Sequence, residues 1–173
     1  MKLQFRDLKA NEIDVRVSQC TDKGVVLLLY KDARCDMRIL DETIGAENWQ
    51  REHYECKGNL FCRVGIKCNN DWIWKSDCGT ESYTEKQKGE ASDSFKRACF
   101  NWGIGRELYT APFIFVSFEK GDAVKKVKNN KPTTSDKFKV EKIVIDNGQI
   151  TAISIINTTL KKRAFVWQKK ADK

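Results

Sequence analysis

The chain has 173 residues, 40% hydrophobic and 10% aromatic, and its 32 Lys and Arg against 24 Asp and Glu leave a net charge of +8. That length and apolar content suit one ordinary folded domain with a sizeable core and exclude a disordered chain. No apolar run approaches the roughly 18 residues a membrane span needs, and the opening MKLQFRDLKANEIDVR lacks an apolar signal core, so a cytoplasmic protein with no membrane partner is expected.

Gly24 to Asp32 (GVVLLLYKD) is a short apolar run rich in strand formers and reads as a central strand. The next stretch, ARCDMRILDETIG, sets Met37, Leu40 and Ile44 at helical spacing, with Gly45 as the stop. Three strands follow, NWQREHYECK, NLFCRVGIKC and DWIWKSDCGT, separated by Lys57-Gly58 and Asn69-Asn70, both good tight-turn chemistry. In the second, Leu60, Cys62, Val64, Ile66 and Cys68 share one face, and Phe61, Arg63 and Lys67 the other. A one-residue slip across Asn69-Asn70 would swap the facing of Trp72, Trp74 and Lys75, so their side is left open.

Thr84, with Gln87 three residues on, is a candidate N-cap for a helix over about Glu85 to Trp102. Ala91, Phe95, Ala98, Cys99 and Trp102 make a continuous apolar stripe along it, flanked by Lys96 and Arg97, and Gly103 and Gly105 end it. Beyond the apolar APFIFVSF, residues Glu119 to Lys137 have the composition of a linker or mobile loop. Two further strands, FKVEKIVID and QITAISIIN, meet at Asn147-Gly148, the strongest hairpin signal in the chain. The fold class is thus α+β: a twisted antiparallel sheet packed on a long helix, with a C-terminal β-hairpin.

Catalytic chemistry finds little support. The glycines of Gly-Ile-Gly follow a helix, at the wrong dipole end for a phosphate loop, and there is no GxxxxGK[ST]. Asp71, Asp77, Glu81 and Asp93 could converge on Mg²⁺ as in a nuclease, but without a recognisable metal-nuclease spacing. Cys56, Cys62 and Cys68, near His53, invite a zinc hypothesis; the absence of close ligand pairs favours free thiols. No cofactor is implied, and the protein reads as a non-enzyme. The basic surplus favours polyanions. Cations that track phosphates, interspersed with aromatic rings, are how single-stranded nucleic acid is held.

The stretch SDSFKRACFNWGIGRELY resembles the signature helix and turn of the Rad-fifty-two-type single-strand annealing proteins, especially their phage-encoded Sak-like branch. ILDETIGAENWQ, EIDVRVSQ and WKSDCGTES resemble further motifs of that family, in its order, over about Asn11 to Phe115. The resemblance implies a β-β-β-α core that assembles into a ring, with single-stranded DNA in a basic groove around it. Lys96 and Arg97 match the family's phosphate-contacting pair, Arg16 its early arginine, and Tyr30 an aromatic position near the strand. Arg63, Lys67 and Lys75 are added from strand facing alone. Phe100 stands where eukaryotic members carry another basic residue. Their long tail for a strand-exchange recombinase and the single-strand-binding protein is not expected here; a host single-strand-binding protein stays among the expected partners.

The expected organisation is therefore an annealing core over 1–115, a basic loop or linker over 116–137, and a hairpin with basic tail over 138–173. The expected function is ATP-independent binding and annealing of single-stranded DNA in recombination and double-strand break repair, by a phage-encoded homo-oligomer in the bacterial cytoplasm. The alternatives are a non-annealing single-stranded DNA or RNA-binding module and a Mg²⁺-dependent nuclease.

Overall fold

In chain order the computed structural model, which describes residues 3–80 and 86–170, forms β1 (Asp14–Cys20), β2 (Gly24–Tyr30), α1 (Ala33–Ile44), β3 (Trp49–Cys56), β4 (Asn59–Cys68), β5 (Asp71–Cys78) and α2 (Lys86–Trp102). Then follow β6 (Ile114–Ser117), β7 (Lys126–Lys128), β8 (Lys131–Thr133), β9 (Phe138–Asp146), β10 (Gln149–Asn157) and β11 (Lys162–Gln168). The architecture is α+β with antiparallel sheets and two α-helices. Among the described residues no helix is long and apolar enough to cross a membrane.

The chain divides into two units, and not at the boundaries expected from sequence. One comprises Met1–Arg6 and Asp32–Arg106, the other Asp7–Lys31 and Glu107–Lys173. β1 and β2 hydrogen-bond with the C-terminal strands in one six-stranded sheet, a pairing between distant segments that local pattern does not carry.

In the first unit β3, β4 and β5 form an antiparallel meander, with α2 packed on β4 and β5. Lys57 (φ 53°) and Gly58 (φ 74°) both adopt the left-handed conformation that a two-residue hairpin turn demands. Cys62, Val64 and Ile66 are buried on the helix side of β4, under Phe95, Ala98 and Cys99 of α2. Trp102 closes that layer by donating its indole N–H to the Val64 carbonyl (2.9 Å). The N-cap expected at Thr84 lies outside the described residues.

α2 ends in a Schellman arrangement. Gly103, at φ 104°, donates its N–H to the Phe100 carbonyl (3.0 Å), and Ile104 donates to the Cys99 carbonyl (3.2 Å). Gly103 serves because a side chain is strained at that φ. α1 is capped by Asp32, which accepts from the Arg34 N–H (2.8 Å). Its buried face is Cys35, Asp36, Ile39 and Leu40 rather than the expected Met37, Leu40 and Ile44, so of the sequence-derived stripe only Leu40 is fully buried.

In the second unit the strand order is β11-β10-β9-β1-β2-β6, and β11 and β6 approach each other so that the sheet nearly closes on itself. Val25, Leu27 and Leu29 of β2, Ile114 and Val116 of β6, and Ile150, Ile153 and Ile155 of β10 fill its interior. The β9–β10 turn is Asn147 (φ 48°) and Gly148 (φ 71°), as the sequence implied. Residues 116–137, expected as a loop, contain the end of β6 and a small separate hairpin, β7–β8.

Candidate nucleic-acid interface

α2 places Lys96 and Arg97 just after the buried Phe95, at the margin of its packed face. Both are half-buried, their stems covered by the layer beneath. Arg97 leans toward β5, where its Nε lies 3.5 Å from Asp77 Oδ1. Lys96 lies near enough to Asp32 to help hold that carboxyl down. The hydrogen bonds from Arg34 are the main cause, and together they bring Asp32 to about 2. The two cations thus have acidic neighbours in Asp32, the N-cap of α1, and Asp77 of β5.

Arg63 and Lys67 stand on the other side of the meander. Register across Asn69-Asn70 pairs Cys68 with Asp71, Lys67 with Trp72, Gly65 with Trp74 and Val64 with Lys75. Cross-strand partners share a face, so Trp72 and Trp74 join Arg63 and Lys67 on the side away from α2. Tyr54 and Phe61, stacked at 5.6 Å, extend that face across β3 and β4. Trp74 lies over Gly65, where an added Cβ would come within 2.8 Å of the indole. The Arg63 guanidinium sits 4.5 Å from the Trp74 ring centroid and donates to Glu52 (2.7 Å). The result is a partly exposed shelf of four aromatic rings with two cations.

Lys75, added beside Arg63 and Lys67 from strand facing with its side left open, lies on the opposite face of the meander from them. Opposite Val64, it faces α2, donates Nζ–H to the Asn101 carbonyl (2.9 Å) and lies 4.5 Å from the Trp102 ring centroid. Arg106 donates to the Phe100 and Asn101 carbonyls (2.6 and 2.9 Å). Two cations therefore satisfy the last carbonyls of α2 and complement its negative dipole end.

Arg16 and Tyr30 come together in the second unit. Arg16 pairs with Leu28 and Asp14 with Tyr30, so all four share the outer face of β1–β2. The Arg16 guanidinium lies 5.9 Å from the Tyr30 ring centroid, and Tyr30 is 37% exposed. A bulge between Val17 and Gln19 restores register before the turn at Thr21 to Gly24.

Of the residues weighed for catalysis, His53, Asp77 and Asp93 have structural partners. His53 Nε2 lies 3.1 Å from the Ala91 carbonyl, a hydrogen bond that requires the proton on that nitrogen. Asp93 accepts from the Thr80 N–H and hydroxyl (3.1 and 3.3 Å), while Glu81 lies outside the described residues. Burial pushes the Cys62 thiol up to about 11. Cys56 falls on the opposite face of the meander from Cys62, and among the described residues no three His, Cys, Asp or Glu side chains group to hold a metal ion.

The aromatic shelf is the feature the sequence left undecided. Its signal was present: counting alternation from Ile66 through a two-residue turn places Trp72 and Trp74 outward and Lys75 inward. Comparison of the chain with protein-family models, with curated proteins and with solved structures finds no match in any of the three.

Proposed function

We propose that this protein is an ATP-independent single-strand DNA-binding and annealing protein of recombination and double-strand break repair, phage-encoded and acting as a homo-oligomeric ring. The observation that carries the reading is the adjacent Lys96–Arg97 pair at the margin of a helix seated on a three-stranded meander. It stands within a run of motifs resembling those of Rad-fifty-two-type annealing proteins. Annealing requires one strand held extended by its phosphates while base edges stay free to test a complement. Lys96 and Arg97 supply the phosphate contacts, and Arg16 with Tyr30 supplies a cation and a ring on the second unit. Repetition around a ring makes many weak contacts multivalent without nucleotide hydrolysis. Pairing, at about 1.4 kcal/mol per base-pair step, drives product formation.

The test is the double variant Lys96→Ala, Arg97→Ala. It is expected to abolish binding of a labelled single strand while the circular dichroism spectrum and native mass remain those of the wild type. Wild-type binding by the double variant would remove the site. Accelerated pairing of complementary oligonucleotides, without nucleotide or metal, is expected of the wild type. Binding without accelerated pairing would favour a second reading, a non-annealing single-stranded DNA or RNA-binding module, for which the Tyr54–Phe61–Trp72–Trp74 shelf is a suitable base-stacking surface. Degradation of the DNA that stops with chelator would instead point to a Mg²⁺-dependent nuclease.

A further inference from the structure

The β7–β8 hairpin is absorbed by none of the foregoing. It forms its own two-stranded sheet, hydrogen-bonded to neither larger one. Its turn is well specified: Asn129 (φ 51°) and Asn130 (φ 57°) both take the left-handed conformation of a type I′ turn. Register pairs Lys128 with Lys131, Val127 with Pro132 and Lys126 with Thr133. Alternation then puts Lys126, Lys128 and Lys131 on one face, with Val127 and Pro132 on the other.

That arrangement is unfavourable in isolation. Like charges directly opposite each other destabilise a strand pair, and a lone two-stranded hairpin is marginal in water. Among the described residues none of the three lysines has an ion pair. Val127, on the opposite face, is 68% exposed.

The base of the hairpin, by contrast, is firmly tied. Buried Asp136 accepts from the Val124 N–H (2.8 Å) and from the Asn157 side-chain amide (2.8 Å), and that amide also donates to the Asp122 carbonyl (3.0 Å). Lys125 pairs with Asp22 at 2.7 Å. A fixed base with an unneutralised cationic face is an arm held ready for a polyanion. Two lysines along a strand stand about 7 Å apart, and the pair across the turn about 5.5 Å, so the three address successive charges along a chain.

We infer that Lys126, Lys128 and Lys131 form a second phosphate-binding element, an arm that grips the sugar-phosphate backbone of a nucleic-acid strand independently of Lys96 and Arg97. The inference rests on the nucleic-acid reading above. The test compares wild type, the Lys126→Ala/Lys128→Ala/Lys131→Ala variant and the matching triple Lys→Arg variant, titrating a short labelled oligothymidylate over a range of salt. Loss of three phosphate contacts lowers the log–log salt slope by about 2, which is about 100-fold in affinity at about 0.1 M salt, with convergence near about 1 M. The arginine variant is expected to keep wild-type affinity and slope, since it preserves the charges. An alanine variant with unchanged affinity and slope, beside a wild type that binds, overturns the arm alone. A wild type that binds no strand overturns the nucleic-acid reading and the arm with it. Loss of binding to a polyglutamate peptide with oligonucleotide affinity intact would assign the arm to an acidic protein segment and overturn the inference.

Discussion

Lys75 and Arg97 are both cations beside α2, and their surroundings give them different work. Lys75 is committed to the Asn101 carbonyl and the Trp102 ring, so its charge is already used to finish the helix. Lys75→Ala is expected to cost about 1–2 kcal/mol of stability, from a lost charge-assisted hydrogen bond and cation–π contact. Chemical denaturation should show the loss, while strand affinity measured under folded conditions stays at the wild-type value. Arg97 shares a partly exposed site with Asp77. A phosphate that engages Arg97 must compete with that carboxylate, so Asp77→Asn is expected to tighten strand binding. The gain should be about two- to five-fold, the range for a pair worth up to about 1 kcal/mol. Weaker binding by the variant would mean that Asp77 holds Arg97 in a productive pose.

At the scale of elements, the meander with α2 is a layer whose two sides differ. The inner side is closed by Phe95, which stacks with Trp49 at 6.1 Å and lies under the Arg51 guanidinium at 4.7 Å. Phe95→Ala removes a fully buried ring and is expected to cost about 3–5 kcal/mol. Because Lys96 follows directly, strand binding should fall together with helix content on warming, which circular dichroism and binding measured at matched temperatures would reveal. The outer side keeps its rings partly in solvent, where such groups remain available to stack on a base. In the other unit the link across β9, β10 and β11 is polar: Arg163 and Ser154 both donate to Glu141 (2.6 and 2.9 Å to the same oxygen).

For the whole molecule these carboxylates fix the response to acid. Hydrogen bonds from Arg163 and then Ser154 hold Glu141 at about 2 against an ordinary 4.5, and Asp32 is held at about 2 against 3.8. A carboxyl depressed on folding contributes stability that is present above its unfolded value and is lost as pH falls through the folded one. Stability is therefore expected to decline from about pH 4.5 toward pH 2. Glu141→Gln should flatten the part that Glu141 contributes in a pH series of thermal unfolding. Glu107 works the other way. It is buried, accepts from the Leu8 N–H (2.7 Å), and burial raises it. Its contribution is complete below the ordinary glutamate range and is lost as pH rises through the raised value. Lys31, only 1% exposed, lies near enough to limit that shift.

Local chemistry determined much of this protein. The turns at Lys57-Gly58 and Asn147-Gly148, the alternation of β4, the apolar stripe of α2 and its end at Gly103 all follow from short-range rules of side-chain periodicity and backbone strain. The tertiary structure decided what those rules do not reach. Joining β1 and β2 to the C-terminal strands is a long-range pairing, and no sequence period encodes which distant strand a strand will meet. The side of Lys75 is left open by the sequence for a related reason: it depends on one residue of register through a turn, and a single-residue slip reverses every side chain beyond it. The cationic face of β7–β8 lay hidden in a segment whose composition reads as a loop, because three lysines line up only once two asparagines fold the chain back on itself.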